Sequence, residues 1–144
     1  YNITRLSLRN IHPSVHDATI PYDKQYDRVL VDAPCSGFGV MKRKPEIKYD
    51  KTQKDIDTLW PLQLEILKNA ANAVKPGGVL VYSTCTIEQM ENENVVYSFI
   101  KQNEDFEIEA IELPVIGKKK LLQVLPQDFN SDGFFIAKLR RKCK

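Results

Sequence analysis

Two cysteines, each closing a hydrophobic strand-like run, carry the chemical information in this chain. Asp27-Arg28-Val29-Leu30-Val31-Asp32-Ala33-Pro34-Cys35-Ser36-Gly37 holds the first, and Gly77-Gly78-Val79-Leu80-Val81-Tyr82-Ser83-Thr84-Cys85 the second. In a parallel α/β sheet the carboxyl ends of neighbouring strands open on one crevice, where such folds bind ligands. Two thiols and the carboxylate of Asp32 brought to one crevice suit covalent chemistry on an electron-poor ring or carbonyl, because a thiolate is a strong nucleophile. Taken singly, Cys35 reads equally well as a small apolar core residue, and so does Cys85. The pair at equivalent strand ends points to chemistry, since packing has no need of two sulfurs at one sheet edge.

The elements around them must place those strand ends side by side. Arg28 to Val31 and Val79 to Ser83 are short apolar runs of the buried parallel type. Between them, Thr52 caps a helix predicted from Gln53 to Leu59, which Pro61 breaks. A second helix then runs from Leu62 to Val74 on the repeat Leu62, Ile66, Leu67, Ala70, Ala71, Val74 and ends at Lys75-Pro76-Gly77-Gly78. Asn2 to Arg9 reads as a short helical segment, and Ile11 to Val15 as an edge or irregular strand because of Pro13. Glu88 to Gln102 is a predicted helix and Phe106 to Leu113 a half-exposed strand. Lys118 to Lys120 is a predicted loop, Leu121 to Leu125 a short apolar segment, and Phe134 to Leu139 a last strand after the Asp132-Gly133 turn. Strands alternating with helices make the fold class α/β. Glu91-Asn92-Glu93 reads as the polar first turns of a helix, Trp60 as packing beside the helix break, and Cys143 as incidental in a basic tail.

Composition narrows the classes. The 144 residues fit one domain or part of one, and 42% hydrophobic with 28% charged residues is ordinary for a globular protein. No apolar run approaches the roughly 20 residues that span a bilayer. Nor does the chain open with a signal-peptide pattern, so a cytoplasmic location without a membrane partner is expected. Three cysteines without regular spacing describe no disulfide framework. No metal site is expected either, since there is no Cys-x-x-Cys and His12 and His16 lie far from the cysteines. The net charge of +2 says little, and the basic triplets at Lys42, Lys118 and Arg140 read, on their own, as solvated surface. Tyr1 is not an initiator residue, so the chain reads as a piece of a longer protein.

Seven blocks in order resemble the RNA cytosine-5 methyltransferases of the RsmB/Nop/Sun family. They are Asp32-Ala33-Pro34-Cys35-Ser36-Gly37-Phe38-Gly39, Lys44-Pro45-Glu46-Ile47-Lys48, Leu62-Gln63-Leu64-Glu65-Ile66-Leu67, Lys75-Pro76-Gly77-Gly78, Tyr82-Ser83-Thr84-Cys85-Thr86, Glu91-Asn92-Glu93 and Asp132-Gly133-Phe134-Phe135-Ile136-Ala137. Paired Pro-Cys and Thr-Cys motifs are specific to that family among methyltransferases, and the likeness covers nearly the whole chain.

The resemblance implies S-adenosyl-L-methionine as cofactor and RNA, ribosomal RNA above all, as partner. It makes Cys85 the nucleophile that adds to cytosine carbon 6, activating carbon 5 for methylation. It makes Cys35 the residue that assists breakdown of the adduct, and Asp32 the group that hydrogen-bonds ring nitrogen 3 or the amino group. Asp17, Asp32 and Pro34 match cofactor-side positions, Asp17 near the adenine. Lys42, Arg43, Lys44 and Lys48 follow the Pro-Cys loop and suit RNA phosphates, with a solvated loop as the equal alternative. Base chemistry of this kind needs a flipped or single-stranded target. Two other readings stay open: a DNA cytosine-5 methyltransferase, whose nucleophile would be Cys35, and a noncatalytic RNA-binding module on the same fold.

The glycine-rich loop and ribose-binding acid of the family, which precede the Asp17 position, have no counterpart here. The resemblance therefore implies a partial Rossmann-like class I methyltransferase sheet holding family strands 3 to 7, with strands 1 and 2 missing from the order 3-2-1-4-5-7-6. Family strand 4 (Arg28 to Val31) becomes an edge, which is expected to pair with Ile11 to Val15 or to dimerise. These residues alone are expected to bind the cofactor weakly or not at all and to be inactive.

Overall fold

The structure is a computed structural model that describes residues 1–50 and 52–143. Helix α1 (Asn2–Arg5) is followed by an irregular segment that reaches strand β1 (Tyr26–Asp32). A 3₁₀ turn (Phe38–Val40), α2 (Ile47–Asp50) and the long α3 (Gln53–Asn72) lead to β2 (Val74–Thr84). Then come α4 (Glu93–Gln102), β3 (Phe106–Glu109), β4 (Ile111–Leu113), β5 (Gly117–Lys119), β6 (Leu121–Val124) and β7 (Phe134–Arg141).

The main sheet is mixed, in the order β1-β2-β7-β3, with β6 sharing the outer edge of β7. β1 and β2 are parallel, whereas β7 runs antiparallel to β2, β3 and β6. Leu80 and Tyr82 of β2 pair directly with Leu139 and Ala137 of β7, so their side chains share one face. On that face lies the core, where Leu64, Leu67, Ala70 and Ala71 of α3 and Val95, Val96 and Phe99 of α4 pack. Phe99 meets Phe106 of β3 edge-on at 5.3 Å between ring centroids.

Several elements differ from the sequence reading, each for an identifiable reason. α3 runs unbroken through Pro61. Proline there forfeits one bond to the carbonyl of residue 57, but Asp57 and Pro61 are both exposed, so water can serve that carbonyl. Buried Ile56 on one side and Leu64 and Leu67 on the other hold the helix together across the gap. Its start is fixed as expected: the Asp55 carboxylate accepts the Thr52 backbone N–H at 2.7 Å and the Thr52 hydroxyl at 2.8 Å. Lys75-Pro76-Gly77-Gly78 is not a helix stop but a bulge within β2. The partner of Tyr26 is Val74 while that of Arg28 is Val79, and Gly77 takes φ +75°.

Ile11 to Val15 forms no strand, and all five residues are exposed. Pro13 has no donor for a ladder, and among the described residues β1 pairs only with β2. β1 is thus an edge of the sheet, without that local partner, and Leu30 on it is 68% exposed. The predicted strand from Phe106 to Leu113 divides at Ala110 into β3 and β4, and α4 begins at Glu93 rather than Glu88. Lys118 and Lys119 are not loop residues: they lie in β5, which pairs with β4. α1 stops at Arg5, short of Arg9. Among the described residues no helix is long and apolar enough to cross a membrane.

One cross-strand cluster predicts an acid response. Glu109 takes Arg140 Nε at 2.6 Å and Lys138 Nζ at 2.5 Å. The Arg140 hydrogen bond, then the Lys138 one, lowers the Glu109 carboxyl from 4.5 to about 2. A carboxyl depressed in the folded state adds stability above its ordinary range and loses it as pH falls through the folded value. The stability gap between wild type and Glu109→Gln in urea unfolding should therefore be open at pH 7 and shrink between about pH 4.5 and 2. A gap independent of pH across that window would count against the assignment.

Candidate active site

β1 and β2 end in register, Asp32 opposite Ser83, and the chain turns out of each strand into a cysteine. The Ala33 N–H extends the ladder by one bond to the Ser83 carbonyl at 2.9 Å. Cys35 Sγ and Cys85 Sγ then lie 3.1 Å apart, each partly buried, and both are free thiols. The juxtaposition expected from the strand ends is present.

Local turns hold this geometry. Gly37 sits at φ +79°, a left-handed conformation suited to glycine, and opens the 3₁₀ turn. Gly39 donates its N–H to the Cys85 carbonyl at 3.0 Å, and its own carbonyl accepts the Gly133 N–H at 2.8 Å. A Cβ at position 39 would stand 2.7 Å from the Cys85 carbonyl oxygen, so only glycine lets the three turns meet. The Asp132-Gly133 turn, read as structural, is one of those three.

Burial first, then the hydrogen bond and charge of Cys85, push the Cys35 thiol up to about 12. Cys35 therefore holds its proton while Cys85 faces it. Burial likewise raises Tyr82, aided by Glu91 and Cys35. Its hydroxyl donates to the Glu91 carbonyl at 2.7 Å.

Asp32 is exposed at the tip of β1 and accepts the Ser83 hydroxyl at 3.3 Å. With Pro34 it closes a cleft of about 190 Å³ whose walls include Ala18, Val31, Ile66 and Ala70. Asp17 is not part of that wall. It is exposed, and its carboxylate accepts the Thr19 N–H at 2.9 Å and hydroxyl at 2.7 Å, which lowers its pKa. Its neighbour Ala18 lines the cleft, and Asn69 of α3 ties the segment down through the Thr19 carbonyl at 2.7 Å. Of the basic residues, Arg43 is paired with Asp132 and Lys42 reaches Asn130 Oδ1 at 2.5 Å. Lys44 and Lys48 are exposed.

Behind the thiols lies a buried polar network that the sequence reading missed. Glu91 and Asn92, read as part of the polar first turns of a helix, are wholly buried, as is Gln63. Glu91 Oε2 accepts the Ser36 N–H at 2.9 Å and Gln63 Nε2 at 2.8 Å, and that same amide donates to the Pro34 carbonyl at 2.8 Å. Thr84 Oγ1 donates to Asn92 Oδ1 at 2.6 Å, and Asn92 Nδ2 donates to the Thr86 carbonyl at 3.0 Å. Ser36 Oγ and Thr86 Oγ1 are 2.8 Å apart. The one available signal was Gln63, seven residues after buried Ile56 and four before Leu67, a polar residue on the apolar stripe of α3.

The family of the 16S rRNA methyltransferase RsmB/F matches residues 1–140. The chain is similar to the probable ribosomal RNA small subunit methyltransferase B of Bacillus subtilis, 45% identical over 96% of the chain and 33% of that protein. It is also similar to ribosomal RNA small subunit methyltransferase B of Thermus thermophilus, at 38% identity over 91% of the chain and 33% of that protein. Among solved structures, NSun6 from Pyrococcus horikoshii with SFG superposes with a TM-score of 0.82 at 34% identity, covering 99% of the chain and 38% of that structure. The chain thus spans about a third of the length of these curated relatives, 33% in each case.

Proposed function

Because the chain belongs to the 16S rRNA methyltransferase RsmB/F family, we propose that it forms the cysteine-bearing part of a catalytic domain that methylates carbon 5 of a cytosine in small-subunit ribosomal RNA. The observation that carries this reading is the 3.1 Å approach of two free thiols at the ends of adjacent parallel strands. On this reading β1, β2, β7 and β3 correspond to family strands 4, 5, 7 and 6.

Carbon 5 of cytosine is too weak a nucleophile to take a methyl group unaided. The Cys85 thiolate adds to carbon 6, and the ring electrons move to carbon 5 as in an enamine. Asp32, at the crevice mouth, hydrogen-bonds ring nitrogen 3 or the amino group and stabilises the charge that develops. S-adenosylmethionine, when bound, supplies the electrophilic methyl group for carbon 5. Release requires loss of the carbon 5 proton and departure of the Cys85 thiolate from carbon 6, which restores the ring double bond. Cys35 serves that step. Part of what keeps it protonated is Cys85 itself, and once Cys85 sulfur is bonded to carbon that contribution disappears. Burial, the largest cause, remains, so the hold on the Cys35 proton loosens only in part.

The residues present fit one side of a cofactor site. The cleft between Ala18, Asp32 and Pro34 is mostly apolar with one carboxylate, suited to an aromatic ring and a polar edge. Its volume of about 190 Å³ lies below the roughly 300–1,000 Å³ of complete small-molecule sites, so these residues supply part of the contacts. Asp17, next in sequence to the cleft-lining Ala18, is the candidate contact for the adenine. Lys44 and Lys48 are exposed and suit RNA phosphates, while Lys42 and Arg43 brace the residue 130–132 turn beside them. The open edge of β1, with Leu30 exposed, is where a further strand, or a second copy, would pair.

The test uses the full-length enzyme with methyl-labelled S-adenosylmethionine and small-subunit ribosomal RNA. Label recovered as 5-methylcytidine after digestion is expected. Label on ribose, on another base or on another cytosine atom would overturn the reading.

A further inference from the structure

We propose that Glu91 and Asn92 are positioning residues that together set the separation of Cys35 and Cys85. Each of these adjacent residues holds the chain on both sides of one cysteine. Glu91 takes the N–H of Ser36, just after Cys35, and through Gln63 Nε2 it secures the carbonyl of Pro34, just before it. Asn92 accepts the hydroxyl of Thr84, just before Cys85, and donates to the carbonyl of Thr86, just after it. The residues that follow the two cysteines are joined to each other by the Ser36–Thr86 hydroxyl contact at 2.8 Å. The Glu91 main chain is itself pinned to the sheet by the Tyr82 hydroxyl. One peptide unit thus carries both clamps, and the distance between the sulfurs is set by it.

Energetics favour a positional role over a solvating one. Glu91 is 0% exposed, and no lysine or arginine pairs with its side chain among the described residues. Its second oxygen and the Gln63 oxygen are buried without a hydrogen bond. Burying a carboxyl group this way is costly, and an apolar residue would pack there more favourably. What the carboxyl offers in return is an acceptor in the one place from which two donors can be held.

The catalytic consequence rests on the two-cysteine reading above, but the thiol geometry does not, and the test separates them. In a glutathione redox buffer the two thiols reduce one glutathione disulfide to two glutathione molecules and form a Cys35–Cys85 disulfide, quantified by peptide mapping. The equilibrium gives the effective concentration of one thiol at the other. Glu91→Ala and Asn92→Ala in the full-length enzyme should each lower it about tenfold, the scale of a lost buried hydrogen bond. Glu91→Gln keeps an acceptor oxygen for Ser36 and Gln63 and should restore it to within about twofold. Circular dichroism confirms that each variant is folded. If Glu91→Ala does not fold, Gln63→Leu, which removes the hold on Pro34 and one of the two donors to Glu91 while leaving the Ser36 bond, is read the same way. An unchanged effective concentration in folded alanine variants, or a Glu91→Gln protein as impaired as Glu91→Ala, would overturn the proposal. A tenfold loss rescued by glutamine supports it even if the RNA product is not 5-methylcytidine.

Discussion

Cys85→Ala is expected to abolish methyl transfer, lowering turnover by about 10⁴-fold or more, the scale of losing a covalent nucleophile. The reason is chemical. On the proposed chemistry, a pyrimidine without a sulfur at carbon 6 has no route to an electron-rich carbon 5. Cys35 is the only other thiol beside it among the described residues, and burial together with Cys85 keeps it protonated. Removing Cys85 lifts only the smaller contributions to that shift and leaves burial, the largest, in place. Cys35 should therefore not substitute. Single-turnover assays with excess enzyme check this, because they read the chemical step apart from release. Activity in Cys85→Ala within tenfold of wild type would remove Cys85 from the nucleophile's role.

The second large effect falls on Asp32. Asp32→Ala should lower kcat/KM by about 10²–10³-fold, as when a group that stabilises developing charge is deleted. The residue is exposed at the tip of β1, so the substitution should leave thermal unfolding almost unchanged. That contrast separates it from the buried network, where losses of activity and of stability come together. Asp32 also borders the cleft with Pro34, so the KM for S-adenosylmethionine should rise in the same variant. An Asp32→Ala protein with normal kcat/KM for RNA would mean that the carboxylate does not touch the base.

The meeting of the cysteines was legible because two local signals agreed. Arg28 to Val31 and Val79 to Ser83 are apolar runs of strand length, and in parallel strands the residues that follow must emerge at the same edge. The turn at Asp132-Gly133 was readable from its own punctuation, whereas Lys75-Pro76-Gly77-Gly78, read as a helix stop, lies within β2. What was not legible depended on tertiary context. Glu91 and Asn92 look like any acidic and polar helix entrance, and only the packing of the Pro34–Gly37 loop and α3 over them makes them interior residues. Pro61 signals a break, yet burial on both sides outweighs one missing hydrogen bond. The β5 lysines sit in a strand because Lys118 and Lys119 pair with Glu112 and Ile111 of β4, which propensity along the chain does not reveal. Arg43 looked like a free phosphate ligand, and its commitment to Asp132 follows from the Gly39–Gly133 contact that brings the two turns together.

The proposed division of labour between the thiols is tested most directly by trapping. Cys35→Ala enzyme is incubated with S-adenosylmethionine and small-subunit ribosomal RNA, separated under denaturing conditions, digested, and the cross-linked peptide identified by mass spectrometry. The expected result is a stable RNA–protein adduct on the peptide that carries Cys85, absent from Cys85→Ala. An adduct that instead accumulates in Cys85→Ala and maps to Cys35 would contradict it.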